Sequence, residues 1–307
     1  MHLDRDEEAI LAGEKGEGGR RAMELLVALG DIYGAERLVP IASAHLSGVS
    51  YKTIGEGGIG LLEEMAADAR VCVPTTLNPA GMDRERWKEM GISPRFADRQ
   101  EHIIRCYEKL GVISDCSCTP YLGTNMPRRG QHIAWAESNA LSFANSVIGA
   151  RTNREGGPGA LAAAIIGKTP EYGLHITANR APAVVIEVEG DDIDYSMLGQ
   201  AAGAIAGARI PYFKGIRPTI DQLKTLAAAM AADLMSLEMR GPEMVQAGAD
   251  FRLALGKADI RSALLLPRCL IGFLRIGIHQ EGAGEKVCEV RAGAFGECPA
   301  LVPERIV

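Results

Sequence analysis

The sequence predicts an α/β fold with a mostly parallel sheet. Three observations carry this: helix-period stretches alternate three times with strand-like runs, the connections are short, and glycine sits in the turns. Apolar residues three and four apart mark helices over roughly residues 5–13 and 18–33, the second with Met23, Leu26, Val27, Leu29 and Ile32 along a wide stripe. "RLVPIAS" then reads as a short strand. Glycine-rich "TIGEGGIG" opens a helix running through "LLEEMAADA", and "RVCVPTT" reads as the next strand. In "RQEHIIRCYEKLG", Ile103, Ile104, Tyr107 and Leu110 share a helical face, and "VISDCSC" after it is strand-like. Residues 135–149 read as a helix, and "GGPGALAAAIIGK" as another with Pro158 in its first turn, where a missing N–H does no harm. "APAVVIEVEG" is a strand, while "SMLGQAAGAIAGA" and "TIDQLKTLAAAMAADLMSLEM" are small-residue helices. Beyond about residue 236, Gly and Pro are scattered among short apolar runs and no element is assigned.

The chain has 307 residues, of which 47% are hydrophobic and 23% charged, as in a globular protein with a sizeable core. A net charge of -6 argues against a general nucleic-acid or anionic-membrane binder, so an anionic ligand needs a local basic site. No apolar run approaches the roughly 20 residues of a membrane span. The acidic start "MHLDRDEEAILAGEKGEGG" lacks the basic-then-apolar order of a signal peptide, and a cytoplasmic protein is expected. In that compartment the 7 cysteines are free thiols, metal ligands or catalytic groups before they are disulfides.

Ligands of open parallel sheets collect at the carboxyl ends of strands, which draws attention to "PTTLNPAG" and "CTPYLGTN". On an extended chain Cys116 and Cys118 share a face and could offer two thiolates to one metal; the competing reading is an inert buried pair. Cys72 and Cys106 are assigned to the core. Ser138, Ser142, Asn145 and Gly149 form a polar seam on an otherwise apolar helix. Glu137, near its start, is either an acid/base or a residue using the helix's positive end. Arg151 and Arg154, beside glycines and a new helix start, suit a carboxylate or phosphate; the alternative is a solvated loop. "GEGG" has neither dinucleotide nor P-loop spacing, so Gly55, Gly57 and Gly58 read as turn residues. His132 stands out among the histidines for its place before a helix, with His45 and His175 next, each alone a structural residue by default.

Taken in order, "SAHLSGVSYKTIGEGG", "TTLNPAG", "CTPYLGTNMP", "HIAWAESNA", "FANSVIGARTNREGGP" and "GKTPEYGLH" resemble the large, catalytic subunit of the aconitase X family, over about residues 5–232. The resemblance implies an aconitase-like fold of stacked parallel-sheet α/β units flanked by helices. It also implies an iron–sulfur hydro-lyase acting on a small β-hydroxy carboxylate such as 5-phosphomevalonate or cis-3-hydroxy-L-proline. In such enzymes three cysteine thiolates hold the cluster, an open iron takes the β-hydroxyl, and a base removes the proton next to the carboxylate. Carried over by motif, Cys118 matches the first cluster cysteine and Cys116 no required position. Arg151 and Arg154 suit the substrate's anionic groups, and His132, Glu137 and Ser138 form the catalytic set. Ser47, Gly48, Tyr51, Lys52, Thr75, Asn78, Asn145 and Asn153 line the pocket. A small swivelling-domain subunit is the implied partner.

The expected domains are an aconitase X-like catalytic region, 1–235, and a divergent C-terminal region, 236–307, shortened relative to the family. Cys269 and Cys298 are the candidates for further cluster ligands, although neither has the family's surroundings. Two alternatives to the hydro-lyase follow: a degenerate, non-catalytic large subunit that binds a ligand or partner, and a cysteine-nucleophile transferase using Cys118 with His132.

Overall fold

The computed structural model describes residues 1–190, 192–207, 209–236, 252–253, 272–281 and 285–292. The chain forms two compact units: Met1–Ala144 with Ile148–Ile176, and Asn145–Val147 with Thr177–Val307. No helix of the described residues is long and apolar enough to cross a membrane.

In the first unit, α1 (Arg5–Leu11) begins at a capping box in which the Asp4 side chain and the Glu7 carboxylate each accept the other's backbone N–H. Helix α2 (Glu17–Tyr33) follows and stops where Gly34 turns into the left-handed region. Strand β1 (Leu38–Pro40) precedes β2 (Ala44–Ser47), α3 (Tyr51–Asp68) and β3 (Thr75–Asn78). Helix α4 (Pro94–Leu110) is capped by the Ser93 hydroxyl and has Pro94 in its first turn. A short 3-10 turn at Pro120–Leu122 leads to β4 (Ala134–Trp135), α5 (Ser138–Phe143) with a π turn at Ala144–Ile148, α6 (Gly157–Ile166) and β5 (Lys168–Pro170).

Strands β3, β2 and β4 form a parallel sheet in that order, and β1 pairs antiparallel with β5. One face of the parallel sheet, with Ala44, Leu46, Leu77 and Ala134, joins a core shared with Met23, Leu26, Leu62, Met65, Ile103 and Leu161 of the helices. Burial of this apolar surface is the main stabilising term of the unit.

Several elements differ from the sequence reading. "RVCVPTT" is a strand only from Thr75. The Val71 and Cys72 amides donate to Leu110 O and Ala164 O near the ends of α4 and α6, which takes them out of any ladder and leaves Cys72 exposed rather than in the core. "VISDCSC" makes one isolated bridge, Ile113 to Thr76, because Cys116 turns into the left-handed region at φ 51 and ends the extended run. Cys116 and Cys118 are therefore not presented by a strand. Trp135 is a strand residue: Ala134 and Ala136 donate to Ser43 O and His45 O, so the helix begins only at Ser138. Cys106 is buried on α4, as its helical position implies.

The second unit contains β6 (Val184–Glu189), α7 (Tyr195–Ala206), β7 (Pro211–Lys214), α8 (Ile220–Ser236), β8 (Arg252–Leu253), β9 (Gly272–Glu281) and β10 (Glu285–Ala292). The sheet order is β10-β9-β6-β7-β8, parallel except for the β9–β10 pair. Helices α7 and α8 meet at Gly199, where a Cβ would stand 2.6 Å from the Ala229 methyl. Strands β9 and β10 lie in the stretch to which the sequence reading assigned no element. Cys269 and Cys298 lie outside the described residues.

Candidate active site

The parallel strands β2 and β3 run in register, Ser47 opposite Asn78, and both end there. Two residues after β4, on the same carboxyl side of the sheet, comes Glu137. Ser47 Oγ and Asn78 Nδ2 each donate to Glu137 Oε2 at 2.9 Å. Alternation along the strands explains the convergence: with Ala44, Leu46 and Leu77 committed to the core, His45, Ser47, Thr76 and Asn78 point to the other face. Glu137 is the N-cap residue of α5 but its side chain makes no capping bond, so the carboxylate is given over to Ser47 and Asn78. The half-buried Arg154 guanidinium is pulled down in pKa by burial, with the Glu137 carboxylate acting the other way. A carboxylate held on one oxygen, with a guanidinium in its field, can move a proton beside a bound anion.

Other residues named from sequence surround this point. Gly48 follows Ser47 with φ 76, and the first turn of α3 then carries Tyr51, whose hydroxyl donates to Glu56 at 2.8 Å, and the exposed Lys52. Ser138 opens α5, and Asn139 Nδ2 donates to the carbonyl of Cys118 at 3.3 Å, tying the cysteine's loop to the helix that begins beside Glu137.

The other candidates make the following contacts. His132 precedes β4, at the opposite end of that strand from Glu137, bridged to Arg151 and with Nδ1 2.9 Å from His175 Nδ1. Arg151 Nη1 donates to His175 O at 2.9 Å. Thr75 opens β3 on the core side, its hydroxyl donating to Val73 O. Asn153 is buried and braces the following loop, donating to Tyr172 O and accepting from the Leu174 amide. Asn145 belongs to the second unit, where Arg180 donates to its side chain at 3.0 Å. Ser142 of the seam is fully buried.

Asn125 and Glu155, which the sequence reading did not single out, and His45, which it read as structural, complete the surroundings. Asn125, inside the quoted "CTPYLGTN", is buried and donates to Ala44 O and Thr76 Oγ1. Glu155, beside Arg154, is buried, and burial pushes its carboxyl up to about 7 with Thr169 acting the other way. Both sit in polar strings where spacing gives no signal of burial. His45 is buried with Nδ1 2.7 Å from Thr76 Oγ1, and burial pulls its imidazole down to about 4.

The described residues offer an iron–sulfur cluster no complete set of ligands. Cys118 is exposed and Cys116 donates weakly to Ser114 O. Among the described residues no group of three or more His, Cys, Asp or Glu side chains is placed to hold a metal ion. One thiolate does not make a cluster site, and no chemical step is derived through one.

The family model for the aconitase X first domain matches residues 1–178, and that for the aconitase X second domain residues 182–241. The phosphomevalonate dehydratase large subunit of Methanothermobacter thermautotrophicus is 54% identical over 258 residues, 81% of this chain and 65% of that protein. Its counterpart in Methanocaldococcus jannaschii is 54% identical over 244 residues, 76% of this chain and 60% of that protein. The cis-3-hydroxy-L-proline dehydratase of Pseudomonas aeruginosa is 38% identical over 236 residues, 74% of this chain and 40% of that protein. The crystal structure of Thermococcus kodakaraensis aconitase X in its holo-form superposes with a TM-score of 0.77 at 43% identity, over 90% of this chain and 67% of that one. The chain thus spans less than two thirds of the length of these first two relatives.

Proposed function

The chain belongs to the aconitase X family, and from that premise we propose that it is the large subunit of a hydro-lyase acting on a small β-hydroxy carboxylate, with 5-phosphomevalonate as substrate. The observation that carries the reading is the Glu137 carboxylate held by Ser47 and Asn78 at the carboxyl ends of parallel strands. Identity of 54% to phosphomevalonate dehydratase large subunits, against 38% to a hydroxyproline dehydratase, supports the substrate.

In this proposal Arg154 binds the substrate carboxylate, and Glu137 takes the proton from the carbon next to it. The C–H electron pair becomes the new C=C bond as the β-hydroxyl leaves, and the hydroxide departs as water after taking up a proton. Ser47 and Asn78 keep Glu137 oriented. Gly48, Tyr51 and Lys52, which follow the end of β2, line the far end of the ligand. Cys118 supplies one thiolate of an iron–sulfur centre, and a small subunit of the family completes the enzyme.

The test is turnover by the chain combined with a small subunit of the family and reconstituted anaerobically with iron and sulfide. Product is read by mass spectrometry as loss of water from 5-phosphomevalonate or cis-3-hydroxy-L-proline. Dehydration of 5-phosphomevalonate is expected, with Glu137→Gln lowering kcat by roughly 100-fold or more, as for loss of a general base. No turnover of either compound sinks the reading and favours a non-catalytic ligand-binding subunit.

A further inference from the structure

The loop that carries Cys118 is closed on itself: Leu122 N donates to Thr119 O, and Gly123 N and Asn125 N donate to Pro120 O. Tyr121 of this loop is buried and stacks on Phe143 with ring centroids 4.2 Å apart. At its far end Asn125 enters the polar face of the parallel sheet. The two hydrogens of Nδ2 serve two acceptors at once, Ala44 O at 2.9 Å and Thr76 Oγ1 at 3.2 Å. Having accepted from Asn125, the Thr76 hydroxyl has its own proton to give, and His45 Nδ1 lies 2.7 Å away. The buried neutral imidazole closes the row through the hydrogen bond between Nδ1 and Thr76 Oγ1, whichever of the two carries the proton. Trp135, edge-on to His45 with ring centroids 5.8 Å apart, fixes the ring plane.

The row runs from the cysteine loop across β3 to β2, one step inward from Ser47 and Asn78 on the same two strands. We infer that Asn125 is a positioning residue which, through Thr76 and His45, clamps the Cys118 loop to the strands that end in Ser47 and Asn78. The inference rests on the reading of Cys118 as part of the active site, but the clamp itself is a property of this chain without its partner. All three side chains are buried, so the bonds are made out of competition with water. Replacing the Asn125 donor takes one hydrogen bond from the buried Ala44 carbonyl and one from the Thr76 hydroxyl together.

The experiment uses the full chain labelled with 15N-cysteine, in which the Cys118 amide cross-peak is identified by its loss in Cys118→Ser. Asn125→Asp, equal in size but unable to donate, and Thr76→Val, equal in shape but without the hydroxyl, are expected to move that cross-peak toward its random-coil position. Thr76→Ser, which keeps the hydroxyl, restores it. In parallel, hydrogen exchange of the Leu122, Gly123 and Asn125 amides accelerates roughly tenfold in the first two variants, about the net effect of one hydrogen bond, while amides of α2 and α4 stay protected. An unmoved cross-peak in both variants overturns the inference. So does a uniform rise in exchange across the unit, which assigns the side chains to general stability. Because no turnover is measured, failure here is distinct from failure of the proposed activity.

Discussion

Glu155 and His45 are buried titratable groups whose environments push stability in opposite directions with pH. Glu155 has a folded pKa of about 7 against 4.5 when exposed, so the folded state binds more protons between those values. Its contribution is fully present below pH 4.5 and is lost as pH rises through 7. His45, at about 4 against 6.5, is the reverse: its contribution is fully present above pH 6.5 and is lost as pH falls through 4. Thermal unfolding followed across pH should therefore show Glu155→Gln flattening the neutral limb and His45→Gln the acid limb. Unchanged slopes in both would mean that neither group is buried in the folded state. Glu155 was hidden in the sequence because a Glu in "NREGG" looks like a surface residue until the chain is closed around it, whereas His45 in "SAHLS" already read as structural by default. Glu137 was recognisable as an acid/base candidate, but its two donors follow from a register that no local spacing encodes.

Between elements, the contact that matters most for the site is made by a glycine. A Cβ on Gly157, in the first turn of α6, would stand 2.7 Å from Ser47 O, so the helix start and the strand end touch backbone to backbone. Gly157→Ala must push them apart and is expected to cost roughly 1–3 kcal/mol, as overpacking does. The Ser47–Glu137 hydrogen bond should loosen with it. Gly156→Ala is the control, since its Cβ meets nothing within 4 Å at an ordinary backbone conformation. Calorimetric unfolding of the two variants checks the difference, and equal stabilities contradict the contact. Helices α2, α3, α4, α6, α7 and α8 were legible because caps, glycine stops and apolar stripes are local signals. Of the short strands, β1 was legible in "RLVPIAS" and β2 and β4 were not. β2 has four residues and alternates with polar side chains, while the apolar run Val71–Val73 spends amides on helix-end carbonyls instead of a ladder.

At the scale of the whole chain, the family motifs and the compact first unit agree, and the question is what assembles around Cys118. The proposal that Cys118 supplies one thiolate of a centre completed by ligands outside the described residues is checked by anaerobic reconstitution with iron and sulfide: its electron paramagnetic resonance signal is to be abolished by Cys118→Ser and preserved by Cys72→Ser and Cys106→Ser. Persistence of the full signal in Cys118→Ser removes the cysteine from the proposed centre. The order of helices and strands, the apolar faces and the string of family motifs were all readable along the chain, because each depends on neighbours within a few residues. Which members of those motifs meet was settled by folding alone. Ser47 and Asn78 reach Glu137 across 90 and 59 residues, and His132, grouped with Glu137 on paper, is bonded to His175 at the far end of β4. Strand order and register create those meetings, and both are set by how the core closes, not by any stretch of sequence short enough to read.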